Sequence, residues 1–185
     1  GGTVSHIPFT LAADRVQVTG RDEVRYTNRE NAELAEVKFR LFPNLLGGEI
    51  TVSNLTVAGQ PVSPSYELGK SVLAVMLPEA LPPGASLVLG MEFELAIPTD
   101  AETNYAVLAS VDNVVTLAHA YPFIPAYDEN GWNVEIPAQW GDLTYADASY
   151  YAVRVTAPAS LTLVASWREV SHEADGSTQT VLFTL

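Results

Sequence analysis

The sequence predicts an all-β domain, an antiparallel β-sandwich or saddle-like sheet carrying long aromatic-rich loops. Apolar residues alternate with polar ones at period two along most of the chain, and turn residues recur at short intervals between these runs. The only stretch of helix-forming residues, Glu30 to Glu36, is too short to stand as a helix without tertiary support and reads as a loop or a single turn. Taken in order, the half-buried strands are carried by Val16/Val18, Val24/Tyr26, Val37/Phe39/Leu41, Ile50/Val52 and Leu55/Val57. The clearest follows: Leu87, Leu89, Met91, Phe93, Leu95 and Ile97 share one face while Glu92 and Glu94 take the other. Val153/Val155, Leu161/Leu163 and the run from Val181 to Leu185 complete the set. Gly20, Pro43-Asn44, Gly47-Gly48, Gly59-Gln60-Pro61, Pro82-Pro83-Gly84, Asn130-Gly131, Pro158 and Asp175-Gly176 punctuate it. Residues 98–113 and 121–147 show little alternation and are expected to be long irregular loops, which in compact domains more often serve function than mere connection.

The 185 residues suffice for one domain, and 48% hydrophobic against 17% charged residues describes a chain that folds. Nine Lys+Arg against 22 Asp+Glu give a net charge of −13, which repels nucleic-acid backbones and anionic membrane surfaces. With no cysteine there are no disulfides and no thiolate metal ligands. The longest apolar run, Val72 to Leu77, ends at Pro78 and falls far short of a membrane-spanning segment. The chain opens Gly1-Gly2-Thr3 and stops on an apolar strand. It therefore reads as a single β domain, a fragment of a longer multidomain protein whose next domain would follow Leu185.

The search for chemistry yields no catalytic or metal-ligating set. Of His6, His119 and His172, only the last precedes a glutamate, and Gly176 stands where a zinc-peptidase H-E-x-x-H helix needs its second histidine. The oxygens of Asp128-Glu129-Asn130-Gly131 lack EF-hand spacing and read as a solvated turn. No G-x-S-x-G elbow and no phosphate-binding glycine loop occurs. The carboxylate pairs Glu92/Glu94 and Asp142/Asp147 have the residue types of a glycosidase but arise readily by chance among 22 acids. What stands out is an aromatic segment interleaved with Pro122, Pro125 and Pro137. It holds Tyr121, Phe123, Tyr127, Trp132, Trp140, Tyr145, Tyr150 and Tyr151. Such loops seal a sandwich edge, anchor a partner domain, or offer a flat ligand platform.

The run Ala120-Tyr121-Pro122-Phe123-Ile124-Pro125-Ala126-Tyr127-Asp128-Glu129-Asn130-Gly131-Trp132, then Gly141-Asp142-Leu143-Thr144-Tyr145 and the stretch from Ala148 to Pro158, resembles the amino-terminal β domain of the aminopeptidase N family of zinc metallopeptidases. Tyr26-Thr27-Asn28, the stretch from Phe39 to Asn44, and the Leu81-Pro82-Pro83-Gly84 turn before the strand ending at Ile97-Pro98 are similar in kind and order, so the resemblance spans Val16 to Trp167. In that family the zinc ligands and the exopeptidase motif lie in a following thermolysin-like domain. The resemblance implies a chain with no catalytic or metal site and no cofactor of its own, with zinc in the parent's catalytic domain. That domain is the implied partner, and peptide is the implied substrate of the parent. It also implies that His119, Tyr121, Phe123, Tyr127, Trp132 and Trp140 face the neighbouring domain or its cleft. The family's amine-binding Gln or Glu has no counterpart in Thr116-Leu117-Ala118-His119-Ala120-Tyr121. The competing expectation is a stand-alone β-sandwich module for carbohydrate or protein, for which Tyr127, Trp132 and Trp140 would lie coplanar on an open surface.

Overall fold

The computed structural model describes residues 2–138 and 144–185. Fifteen strands follow one another: β1 (Val4–Leu11), β2 (Gln17–Thr27), β3 (Leu34–Arg40), β4 (Glu49–Val57), β5 (Gln60–Pro61), β6 (Ser65–Glu67), β7 (Val72–Leu81), β8 (Ser86–Ala96), β9 (Leu108–Val111), β10 (Val114–Leu117), β11 (Tyr127–Asp128), β12 (Gly131–Trp132), β13 (Tyr150–Pro158), β14 (Arg168–Asp175) and β15 (Thr178–Thr184). An eight-stranded sheet runs β14-β15-β13-β1-β2-β8-β4-β5, and a three-stranded sheet runs β3-β7-β6. Two hairpins, β9–β10 and β11–β12, stand apart from these. This is the all-β, sandwich-like architecture that the alternation predicts. Its pairs are antiparallel except β1 with β13, which run parallel from Val4↔Tyr150 to Thr10↔Thr156.

The inner face of the large sheet contributes Ile7, Val18, Val24, Ile50, Leu89, Phe93 and Leu95, and the small sheet contributes Val37, Phe39, Leu73 and Val75, all shielded from solvent. Alternation follows directly from the pleat, as β8 shows: Leu89, Met91, Phe93 and Leu95 point inward while Glu94 is exposed. β7 differs. Val72, Leu73, Ala74 and Val75 are buried in succession, so the first four residues of the longest apolar run form the doubly covered centre of the small sheet, while Met76 is exposed. Gly20 on β2 allows the sheet to close over two phenylalanines, because a Cβ there would stand 2.5 Å from Phe93 Cζ and 2.8 Å from Phe9 Cβ.

Asparagine side chains hold the connections. Asn28 is fully buried; its Nδ2 donates to the carbonyls of Ala32 and Leu81, each at 2.8 Å, and its Oδ1 accepts from Glu30 N at 2.9 Å. Asn44 fixes the short 3₁₀ turn Phe42–Leu45: Nδ2 donates to Lys70 O at 2.7 Å and Oδ1 accepts from Ile50 N at 2.8 Å. Asn104 donates to Leu46 O and Leu108 O and ties the 98–107 loop to that turn.

Three sequence expectations need correction. The stretch Glu30 to Glu36 is not wholly loop, since β3 begins at Leu34; pairing with β7 recruits it, with an irregularity between Leu34 and Glu36. Residues 98–113 are not wholly irregular either. Asp112 and Asn113, both at positive φ, close the β9–β10 hairpin as a two-residue turn. Conversely, Leu161 and Leu163 belong to no strand and instead pack from a loop against the core.

Candidate functional site

Among the described residues the aromatic candidates do not gather into one cluster. The structure distributes them among three clusters, each built on a different part of the scaffold. In the first, His119 and Phe123 meet at 5.7 Å between ring centroids, and both contact Phe42, at 5.0 and 5.2 Å. Phe123 is buried and carries the loop onto the end of β3: Arg40 N donates to Phe123 O at 2.8 Å and Phe123 N returns to Arg40 O at 3.3 Å. His119 is held at φ +56°, and its Nε2 shares a 3.1 Å hydrogen bond with Thr144 Oγ1. Burial pushes its pKa below the usual imidazole value.

In the second cluster, Tyr127 and Trp132 pair across the β11–β12 hairpin and meet edge-on, 5.1 Å apart at 82°; Trp132 also packs on Tyr26. Both are half-buried, so these two rings do not make a coplanar open platform. Asp128 spends its oxygens on the turn, accepting from Asn130 N at 2.8 Å and Asn133 Nδ2 at 2.6 Å, as the reading of a solvated turn expects. The third cluster joins Tyr121, Tyr151 and Trp167, the last two stacked at 5.9 Å and 7°. Burial, then Tyr151, then Asp22 pushes the Tyr121 phenol well up. Trp140, together with Asp142 of the second carboxylate pair, lies outside the described residues. Of the first pair, Glu92 is engaged by Arg21 Nε at 3.2 Å and Asn54 Nδ2 at 2.6 Å.

Two groups that the sequence reading passed over are the most unusual in the molecule. Asp22, midway along β2, is 1% exposed; neither carboxyl oxygen has a hydrogen-bond partner among the described residues, and burial pushes its pKa well above the usual 3.8. Its parity with Val18 and Val24 was the available signal. Arg40 at the end of β3 is 2% exposed. Its Nη1 donates to Glu135 O at 2.9 Å, its Cζ stands 4.6 Å over the Phe42 ring, and its Nε and Nη2 have no partner among the described residues. Beside it is a cavity of about 230 Å³ whose lining includes Phe42, Phe123, Asn133, Pro137 and Tyr145. A larger hollow of about 410 Å³ lies on the other face of the large sheet, but it is an open trough with the paired, solvent-facing Arg21 and Glu92 in its wall. The smaller cavity is the one that reaches a buried charge.

Among the described residues no three His, Cys, Asp or Glu side chains converge, so this part of the chain does not offer the three-protein-ligand set that catalytic zinc uses. No helix among them is long and apolar enough to cross a membrane. His172, on β14, shares a 2.9 Å hydrogen bond with Gln179 across the Asp175-Gly176 hairpin.

No protein-family model and no curated protein matches the chain. Solved structures do. An M1 zinc metallopeptidase mutant from Deinococcus radiodurans superposes with a TM-score of 0.63 at 19% identity, over 98% of this chain and 37% of that one. A form of the Deinococcus radiodurans enzyme bound to a Tyr-Ser-Ala substrate gives 0.61 at 18% identity, over 99% and 39%. A two-domain M1 zinc metallopeptidase bound to L-tryptophan gives 0.62 at 20% identity, with the same coverage of 99% and 39%. The chain thus spans less than two-fifths of the length of these enzymes, and its fold, over nearly all of its residues, is that of a part of an M1 zinc metallopeptidase.

Proposed function

We propose that this chain is the non-catalytic amino-terminal domain of a zinc aminopeptidase-like protein, packing on the catalytic domain and shaping the mouth of its substrate cleft. The observation that carries this reading is the coverage: nearly all of this chain matches a minor part of zinc metallopeptidase chains. In the parent, metal-assisted peptide hydrolysis would use a zinc-activated water and a general base, both supplied by the catalytic domain. Exposed Ile136 and Tyr145, each 60% accessible beside the first aromatic cluster, supply apolar area of the kind that interdomain contacts cover. Half-buried His119, Tyr121, Tyr127 and Trp132 would border that contact, whereas buried Phe123 would support it from beneath. The test is twofold. The reading frame beyond Leu185 should encode H-E-x-x-H within a few hundred codons, and its absence there would overturn the proposal. The chain alone, incubated with zinc and aminoacyl nitroanilides, should show no turnover; chelator-sensitive hydrolysis would refute the division of roles.

A further inference from the structure

We propose that the cavity beside Arg40 is a binding site for a compact carboxylate, held by the Nε and Nη2 edge of the guanidinium. These two nitrogens lie on one side of a planar fork and match the two oxygens of a carboxylate in spacing and direction. They are also the two that the fold leaves without a partner, while Nη1 is committed to Glu135 O. The Phe42 ring under Cζ fixes the plane of the fork before any ligand arrives, which lowers the ordering cost of binding. A guanidinium keeps its charge in this setting, and a dry cation with two unmet donors is a costly state that an arriving carboxylate relieves.

The chemistry of the lining narrows the ligand. A volume of about 230 Å³ lies below the usual range for drug-sized ligands and suits a short-chain acid. Phe42, Phe123 and Pro137 give the acid's hydrocarbon body an apolar wall, while Asn133, Thr144 and Tyr145 add polar atoms. Among the described residues Glu135 is the one acid in this lining; its backbone carbonyl is taken by Arg40, and its exposed carboxylate is the anion that would compete for the same cation. His119 stands behind the wall, bonded to Thr144. Nε and Nη2 present almost no accessible surface even toward the cavity, so the wall between them and the cavity must part for a carboxylate to reach them. The inference stands apart from the peptidase reading, because it needs no second domain.

The test is a titration of the ¹⁵N-labelled chain, following the Arg40 Nε–H resonance assigned through bonds from its own backbone. Sodium acetate and sodium 4-methylpentanoate are compared with sodium chloride and sodium phosphate at matched ionic strength. Both carboxylates should shift the resonance saturably, the longer acid binding roughly tenfold more tightly through its extra methylenes. Chloride and phosphate should not. E135Q, which removes the competing charge at an exposed position, should bind acetate a few-fold more tightly, and R40K should abolish saturable binding. A resonance indifferent to both acids, an equal response to chloride or phosphate, or a long-lived water contact at Nε that acetate does not displace would each overturn the assignment.

Discussion

The buried carboxyl of Asp22 makes the stability of this domain fall as pH rises, opposite to the usual behaviour of a paired acid. In the unfolded chain Asp22 releases its proton near pH 3.8; in the folded chain burial, unrelieved by any hydrogen bond, holds the proton on to well above that value. Below both pKa values the group is protonated in either state and contributes no pH dependence. Between them the unfolded state has lost a proton that the folded state keeps, so the native state loses about 1.4 kcal/mol per pH unit. Above the folded pKa the loss levels off. For a chain of this size that slope corresponds to roughly 3–5 °C in Tm for each unit. Asp22→Asn keeps the shape and removes the titration. Urea unfolding followed by tryptophan fluorescence, run on both proteins from pH 4 to 7, isolates the group from the other acids, which titrate alike in the two. The variant should gain on the wild type as pH increases, with the difference vanishing near pH 4. A difference that is constant with pH, or that grows toward acid, would refute the reasoning. Tyr121 and Tyr151, the titratable groups facing Asp22, have phenols raised by burial and stay neutral throughout this window.

Three further outcomes follow from the geometry. Gly20→Ala should cost about 1–3 kcal/mol, read as a lower urea midpoint at unchanged slope, because its Cβ must displace Phe93 and the β1 backbone-linked Cβ of Phe9. Asn28→Ala leaves the buried Leu81 carbonyl without this donor and removes the partners of Ala32 O and Glu30 N nearer the surface; it should cost about 1–3 kcal/mol, with faster amide exchange at Glu30. Ala58→Asn should stabilise by about 0.5–1 kcal/mol, since Ala58 and Gly59 both hold positive φ in the two-residue turn between β4 and β5 and Asn-Gly suits it; a lower midpoint would count against that turn assignment.

The strands with one wet face were legible because the pleat writes its period into the side chains. β1 was hidden by Pro8, which argues for an edge; in the fold it occupies a central strand, tolerated where the β1–β2 ladder skips positions 7 and 8. β14 was hidden for a different reason. It projects charged residues to both sides, so no alternation exists to be read. The aromatic segment was legible as composition, but its separation into three clusters depends on contacts with Phe42, Tyr26 and Trp167, which lie outside it in sequence. Arg40 offers the sharpest contrast. Alternation with Val37 and Phe39 places it on the opposite face of β3; the chain at Glu135, whose carbonyl accepts from Nη1, then meets it there, a tertiary event that no local pattern announces.

The parallel contact between β1 and β13 sets the order in which this domain can be assembled. A hairpin of β1 and β2 can form as soon as Thr27 has left the ribosome, yet its outer rim waits for a segment ending at Pro158. During that interval the nascent chain carries an open rim able to capture other extended chains. Truncations that stop short of β13 should therefore precipitate rather than yield a smaller soluble domain.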